Sequence, residues 1–191
     1  EVRSGRAEAN SNAGAALMSC ISTLLLLLII VTGVSVSWLK VLIFPSLLSI
    51  IILALCALWL LRNAKAVENI ELIDSRMFSL KEAAIIAGTL TIIQAGIYGL
   101  NLLLGDAGLI AGTLLASLFE IHAAAAAVVI QGDPTNSTLL YAMILGLGAH
   151  AISKSINATL TGGWKFARVF VPIQMLHMLV LISVLCWITL R

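Results

Sequence analysis

The chain has 191 residues, of which 61% are hydrophobic and 10% are charged, with a formal net charge of +2 at pH 7 and a mean hydropathy of +1.10. Soluble domains carry about 25% charged residues, so this composition excludes a soluble globular fold and makes lipid the solvent for much of the chain. The basic residues are scattered and form no patch with interleaved aromatic residues, which argues against nucleic-acid binding.

Six apolar segments follow one another along the chain, each long enough to cross a bilayer. A spanning helix needs about 20 apolar residues, and only helices or closed barrels satisfy backbone hydrogen bonds in lipid. Continuous runs of this length favour helices, so we predict an all-α, multi-spanning membrane protein with a single transmembrane domain over 1–191. The predicted helices cover 13–34, 39–61, 82–104, 107–130, 138–160 and 169–190, with a cytoplasmic linker at 62–81.

Two connections are very short and contain turn residues: "GD" at Gly105–Asp106 and "QGDPTNS" at Gln131–Ser137. They predict that helices 3, 4 and 5 are antiparallel neighbours. The chain starts with Glu1 and has no signal-peptide pattern, so we expect that it begins inside a longer protein or was processed.

The positions of lysine and arginine predict the orientation, because cytoplasmic ends of spans are enriched in both. With six spans and a cytoplasmic N-terminus, more of these residues lie inside than outside, although the segment "GGWKFAR" would lie outside. If helix 4 were re-entrant, that segment would move inside and the C-terminus outside; this alternative stays open. The inside set is Arg3, Arg6, Arg62, Lys65, Arg76, Lys81 and Arg191, and the outside set is Lys40, Lys165 and Arg168.

The tryptophans and cysteines are interpreted as structural residues. Tryptophans near span ends are typical interfacial anchors, and cysteines inside apolar runs behave as small hydrophobic residues. The cysteines have no metal-ligand spacing. The residues concerned are Trp38, Trp59, Trp164 and Trp187, and Cys20, Cys56 and Cys186.

Polar residues recur at helical spacing in helices 3 to 6, whereas helices 1 and 2 carry little polarity beyond Ser and Thr. The simplest packing is a bundle of helices 3–6 with its polar stripes inward, and with helices 1 and 2 as a scaffold or a surface for a partner. Helix 4 also carries a GxxxG-type ridge, Gly108, Gly112 and Ala116, that allows close helix approach. The stripes are Thr91, Gln94, Tyr98 and Asn101; Thr113, Ser117 and Glu120; Gly146, His150, Lys154, Asn157 and Thr161; and Gln174 and His177.

Several ionisable or amide side chains share one depth in the predicted membrane. At 1.5 Å rise per residue, they lie within about 4 Å of their span centres: Gln94, Glu120, His122, His150 and His177. Lys154 lies about 7–8 Å from the centre of its span by the same rise. Because His122 is roughly 200° around a continuous helix from Glu120, the two side chains should point apart, which would place helix 4 centrally.

A charge at mid-bilayer costs at least about 2.5–3.5 kcal/mol, so such residues are functional candidates. A proton relay, a cation-binding step and a metal site all fit this layer, and so does a purely structural helix contact, worth about 0.6 kcal/mol. The histidines share no short ligand motif, so no metal and no cofactor is predicted. The sequence has no HExxH, no GxSxG and no Gly-rich phosphate loop, and we expect that it is not an enzyme.

The second half of the chain resembles a known family. "GDAGLIAGTLLASLFEIHAAAAAVV", "GLGAHAISKSINATLTGG" and "WKFAR" look like domain of unknown function 4010, whose pattern has Gly-Leu-x-Asp-x-Asp-Ala, then Asn-x-x-x-Lys and a Gly-Gly turn. Glu120 and His122 stand at the two Asp positions, His150 at the Asn position and Lys154 at the Lys position. "SRMFSLKEA" and "RAEAN" extend the resemblance toward the N-terminus.

The resemblance implies a C-terminal half of an MgtC/SapB-type bacterial inner-membrane protein, and hence a role in ion homeostasis or membrane stress and a missing MgtC-like N-terminal half. The Asp-to-Glu, Asp-to-His and Asn-to-His departures keep these positions polar but change their proton chemistry. They support a site there and weaken the transfer of a specific activity.

The sequence therefore predicts a multi-pass protein of the bacterial inner membrane that is transporter- or channel-like and moves protons or cations. Glu120 and His150 are the predicted exchange pair, with Lys154 as modulator. The alternative is a non-transporting domain that binds and regulates another membrane protein, an MgtC-like half or a second copy. The predicted pathway residues are Glu120, His122, His150, Lys154, Asn157, Gln94 and His177.

Overall fold

The computed structural model describes residues 2–63 and 80–189, and these residues form helices without any strand. Four helices are long and apolar enough to cross a membrane, namely α1, α2, α3 and α6. The all-α prediction is confirmed, and the apolar helices indicate a membrane protein. The elements are α1 (Val2–Val34), α2 (Val36–Asn63), α3 (Leu80–Leu104), α4 (Asp106–Phe119), α5 (Ile121–Ile130) and α6 (Ser137–Thr189).

Helix α6 is broken at Gly163, where the backbone adopts φ 72° and ψ 171°, a conformation that glycine adopts with little strain. An unbroken helix of 53 residues would be about 80 Å long, far more than the roughly 30 Å of a bilayer core. The two arms fold back on each other, since Gly148 of the first arm lies beside Ile182 of the second. We call 137–162 the first arm and 164–189 the second arm; they correspond to the two last predicted spans.

The continuous helix predicted at 107–130 is wrong, because α4 and α5 meet at Glu120. This residue has extended backbone angles, φ −149° and ψ 103°. Its amide donates to Ala116 O at 2.8 Å, which completes α4, and its carboxylate accepts from the amide of His122, which caps α5. A side chain that bonds a nearby amide offers the backbone an alternative to a continuous helix.

Helix α5 returns to the face from which α4 starts. Thr138 Oγ1, just after α5, donates to Asp106 Oδ2 at the start of α4 at 2.8 Å. Trp38 Nε1, at the start of α2, donates to Gly132 O at 2.7 Å. The ends of α1, α3 and α5 therefore lie together with the starts of α2, α4 and α6. We call this side the Trp38 face and the opposite side, which holds Gly163, the Gly163 face.

The reversal at Glu120 makes α4 and the first arm of α6 parallel, rather than antiparallel as predicted for spans 107–130 and 138–160. A Cβ on Gly146 would lie 2.7 Å from Ser117 Oγ, and Ser153 Oγ donates to Leu118 O at 2.6 Å. The residue numbers in contact increase together along both helices, which shows that the helices are parallel. The structure thus has the chain path of the re-entrant alternative: α1, α2, α3 and both arms of α6 have the length of spans, and the α4–α5 hairpin starts and ends at the Trp38 face.

Helix α3 packs against the hairpin through the predicted glycine ridge. A Cβ on Gly108 would overlap the carbonyl of Leu100, and one on Gly112 would lie 3.1 Å from Leu100 Cδ1. Close approach of the two backbones therefore depends on both glycines. Asn101 Nδ2 also donates to Gln131 Oε1 at the end of the hairpin.

The predicted bundle of helices 3–6 needs one correction, because α1 also packs against the hairpin. Helix α1 contacts α2, α5 and α6, whereas α3 contacts only α4 and α5 to any extent among the described elements. Helix α1 is therefore part of the wall around the hairpin and not an outer scaffold.

Trp38 is not an interfacial anchor as predicted, because its side chain is fully buried and holds the α5–α6 loop. Trp59, Trp164 and Trp187 are exposed, in agreement with the predicted role. Arg168 lies over the ring of Trp164 at 4.9 Å from its centroid, beside the Gly163 break.

Labelling with a membrane-impermeant maleimide tests the re-entrant hairpin. In a background with the three cysteines replaced by alanine, we introduce Val36→Cys, Thr135→Cys, Lys165→Cys and Arg62→Cys, all at exposed positions. The structure predicts that 36 and 135 label from one side of sealed vesicles and that 62 and 165 label from the other. A six-span chain would instead pair 36 with 165 and 62 with 135, and that result would overturn the fold.

Substitution of Gly108 tests the packing of α3 against α4. Gly108→Leu must displace a backbone carbonyl, so we expect destabilisation of about 1–3 kcal/mol, the usual cost of overpacking, seen as a lower melting temperature in detergent. Gly88→Leu on α3 is the matched control, because nothing lies within 4 Å of its Cβ position. Equal melting temperatures for the two variants would contradict the packing.

Candidate functional site

The break between α4 and α5 joins the two residues that were predicted to point apart. Glu120 Oε1 accepts from His122 N at 2.9 Å and lies 2.5 Å from His122 Nδ1. In a capped helix start, the capping side chain turns over the first helical turn, and there it meets the ring of the second helical residue. The prediction of opposite directions is wrong for this reason.

The hydrogen bonds of the pair fix how many protons it holds. His122 Nε2 lies 3.1 Å from the carbonyl oxygen of Thr23, which can only accept, so Nε2 carries a proton. The 2.5 Å contact between Nδ1 and Glu120 Oε1 then needs one more proton, on either the carboxyl or the imidazole. In both cases the net charge of the Glu120–His122 pair is zero and one exchangeable proton lies between the two atoms.

The pair is the first member of a hydrogen-bond chain that crosses the protein. Thr23, which accepts from His122 through its carbonyl, also accepts from Lys154 Nζ through Oγ1 at 3.3 Å. Lys154 Nζ donates to Cys20 Sγ at 3.6 Å, and Cys20 Sγ donates to Gln174 Oε1 at 3.2 Å. We call this the Glu120–Gln174 chain; it connects α5, α1 and both arms of α6.

Lys154 is the positively charged member of this chain, and its ammonium group pairs with no carboxylate of the described residues. Among the residues whose side chains the structure describes, the only ion pair is that of Glu120 with His122. The ammonium group of Lys154 is bonded to the neutral acceptors of Cys20 and Thr23. Lys154 is thus linked to the Glu120–His122 pair through Thr23, which bonds Lys154 with Oγ1 and His122 with its carbonyl oxygen.

His150 contacts the backbone at the end of α4 and not the side chain of Glu120. Its Nδ1 lies 3.2 Å from Ser117 O, and Ser153 Oγ donates to Leu118 O. The last carbonyls of a helix have no partner inside that helix, so the first arm of α6 supplies partners for two of them. Glu120 therefore pairs with His122 and not with His150, its predicted partner. His150 bonds the carbonyl oxygen of Ser117 instead.

The remaining predicted pathway residues lie apart from the Glu120–Gln174 chain. His177 is buried with Nδ1 3.2 Å from Ile173 O, and its own carbonyl accepts from Ser49 Oγ of α2. Gln94 on α3 is half-buried and Asn157 is exposed; neither amide group has a hydrogen bond to the described parts of the chain. The structure therefore brings together Glu120, His122 and Lys154, with His150 beside them.

Three members of the chain were missed as site residues: Cys20, Thr23 and Gln174. Cys20 was interpreted as a small hydrophobic residue, whereas its thiol bonds Lys154 and Gln174. The available signal was the polar run "SCIST" at 19–23 inside an apolar segment. No sequence pattern announces the carbonyl of Thr23 as a partner of His122.

The match to a family covers most of this architecture. A family model described as a domain of unknown function, DUF4010, matches residues 1–162. Comparisons with curated proteins and with solved structures give no match. The matched region includes α1 to α5, the break at Glu120 and the first arm of α6 with His150 and Lys154. The resemblance seen in the sequence is confirmed, and the chain belongs to the DUF4010 family.

Proposed function

We propose that this protein moves protons or cations across the membrane, with the Glu120–His122 pair as the exchange site. The observation that carries the proposal is the helix break that places this pair at the tip of a re-entrant hairpin. In transporters, substrate and ion sites lie near the bilayer midplane and are built by discontinuous helices. Irregular backbone at that depth is tolerated only where it is enclosed by protein or lines a cavity.

The lengths of the two half-helices support a position near mid-membrane. Helix α4 has 14 residues and α5 has 10, which correspond to about 21 Å and 15 Å. Half of a 30 Å hydrocarbon core is about 15 Å. With the hairpin ends at the Trp38 face, Glu120 is reached at between about half and two thirds of the core.

The charges of the site support exchange. The pair with its shared proton is neutral, which lowers the cost of residence in lipid. Loss of that proton leaves a negative charge near Lys154, and a cation could then take its place. The side chains of Glu120 and His122 are 35% and 16% exposed, so the pair is enclosed but reachable.

The distribution of basic residues supports an orientation with the Gly163 face in the cytoplasm. Arg62, Lys165 and Arg168 lie on that face, whereas Lys40 lies on the Trp38 face. Cytoplasmic ends of spans carry the excess of Lys and Arg. The segment "GGWKFAR" no longer conflicts with that rule. We place the protein in the bacterial inner membrane, with a role in ion homeostasis, on the resemblance to MgtC/SapB-type proteins.

A second candidate function, binding and regulation of another membrane protein, is favoured by one observation. Helix α3 packs against the hairpin alone, and its other side exposes large apolar residues such as Ile92, Tyr98 and Leu103. An MgtC-like half or a second copy could cover that side. This candidate predicts stable co-purification with a partner and no intrinsic flux.

Flux in proteoliposomes under a pH gradient and a membrane potential tests the proposed function. Glu120→Gln keeps an oxygen that can cap α5 but removes the exchangeable proton, so we expect loss of flux with an unchanged elution profile. Glu8→Gln is the matched control, because Glu8 is an exposed carboxylate on α1. Wild-type flux in Glu120→Gln would contradict the proposal, and no flux in the well-folded wild type would favour the second candidate.

A further inference from the structure

Three buried polar atoms lie at the seam between α4 and the first arm of α6 without a hydrogen-bond partner in the described chain. They are Thr113 Oγ1, Ser117 Oγ and His150 Nε2. The residues are 1%, 0% and 9% exposed, respectively. A buried polar group without a partner costs about 1–3 kcal/mol, so three in one seam need a physical explanation.

The geometry places these residues on facing surfaces of the two helices. Thr113 and Ser117 are four residues apart on α4, and Gly146 and His150 are four residues apart on α6, so each pair shares one helix face. A Cβ on Gly146 would lie 2.7 Å from Ser117 Oγ and 3.1 Å from Thr113 Cγ2. The missing side chain of Gly146 therefore leaves room for the Ser117 hydroxyl and the Thr113 methyl group.

The seam connects the Trp38 face to the exchange site. At one end, Thr138 Oγ1 donates to Asp106 Oδ2 at an exposed position. At the other end, α4 finishes at Glu120, fourteen positions beyond Asp106 and thus about four helical turns away. Thr113 lies midway between them on α4, and Ser117 lies nearer to Glu120.

The protonation of His150 suits a relay. Its Nδ1 faces the carbonyl oxygen of Ser117, which can only accept, so Nδ1 carries the proton and Nε2 presents a lone pair. Hydroxyl groups both donate and accept, and buried water satisfies such groups when it finds two to four polar partners. Nε2 can accept a proton from one water in the seam and return it to the next water, while Nδ1 stays bonded to the carbonyl oxygen of Ser117.

We propose that the transported species is the proton, and that it moves between the Trp38 face and the Glu120–His122 pair along this seam, through water held by Thr113, Ser117 and His150. The inference rests on the proposed function and narrows it to one species and one route. A metal cation is less suited to the seam, because its unpartnered groups are two hydroxyls and one imidazole and include no carboxylate. Among the described side chains, no three His, Cys, Asp or Glu residues are arranged to hold a metal ion.

The test uses the purified full chain in liposomes, with an internal pH-sensitive dye and a potassium diffusion potential, and with uptake of radioactive Na⁺ measured in parallel. The variants are His150→Gln, Ser117→Ala and Thr113→Val. Ser46→Ala is the matched control, because Ser46 Oγ on α2 is also buried and without a partner in the described chain but lies outside the seam. All variants are checked for elution profile and helical content.

We expect proton flux in wild type and in Ser46→Ala, and a loss of about 100-fold in His150→Gln, the lower end of what a positioned proton-transfer group contributes. Ser117→Ala and Thr113→Val should each lower the flux as well, which keeps the test valid if His150→Gln does not fold. Sodium uptake without proton flux would overturn the inference and leave the proposed function standing. Proton flux that needs Glu120 but is unchanged in all three seam variants would overturn the route, and no flux of either ion would overturn both.

Discussion

The structure depends on a constraint that lipid imposes on an interrupted helix. Where α4 ends and α5 begins, amide and carbonyl groups lose their helical partners, and the bilayer core provides none. The protein supplies partners from side chains: Glu120 for the amide of His122, and His150 and Ser153 for the carbonyls of Ser117 and Leu118. The hairpin can exist at this depth because the first arm of α6 runs parallel to α4 and brings those side chains to its end.

This constraint links structure and chemistry at the same residues. The carboxylate that caps α5 also shares a proton with His122, and the imidazole that satisfies the end of α4 also faces the seam. A loss of flux after mutation therefore has two possible origins, a broken hairpin or a missing proton carrier. Glu120→Gln and His150→Gln separate these origins, since glutamine retains a hydrogen-bonding group for the backbone but has no titratable proton.

The sequence predicts the parts of the fold that rest on hydrophobicity and side-chain size. Long apolar runs predict the helices, and the Gly108–Gly112 ridge predicts the close contact with α3. The sequence leaves the reversal at Glu120 open as an alternative, because hydropathy over 107–130 is the same for one spanning helix and for two half-helices. Glu120, His122 and Lys154 stand out as charges in lipid, whereas Cys20 and Thr23 do not, because a thiol and a hydroxyl are common in apolar helices. The role of Cys20 and Thr23 depends on the helices against which α1 packs.

The reversal at Glu120 also explains the asymmetry of the site. Because the hairpin enters from the Trp38 face, the α4–α6 seam leads from that face to the pair. On the other side of the pair, the Glu120–Gln174 chain runs through Thr23, Lys154 and Cys20 to the second arm of α6. The two routes use different helix interfaces and meet at Glu120 and His122. The Glu120–His122 pair is thus in contact with two polar regions: a seam of neutral groups, and a chain that contains the cation of Lys154 and ends at the buried Gln174.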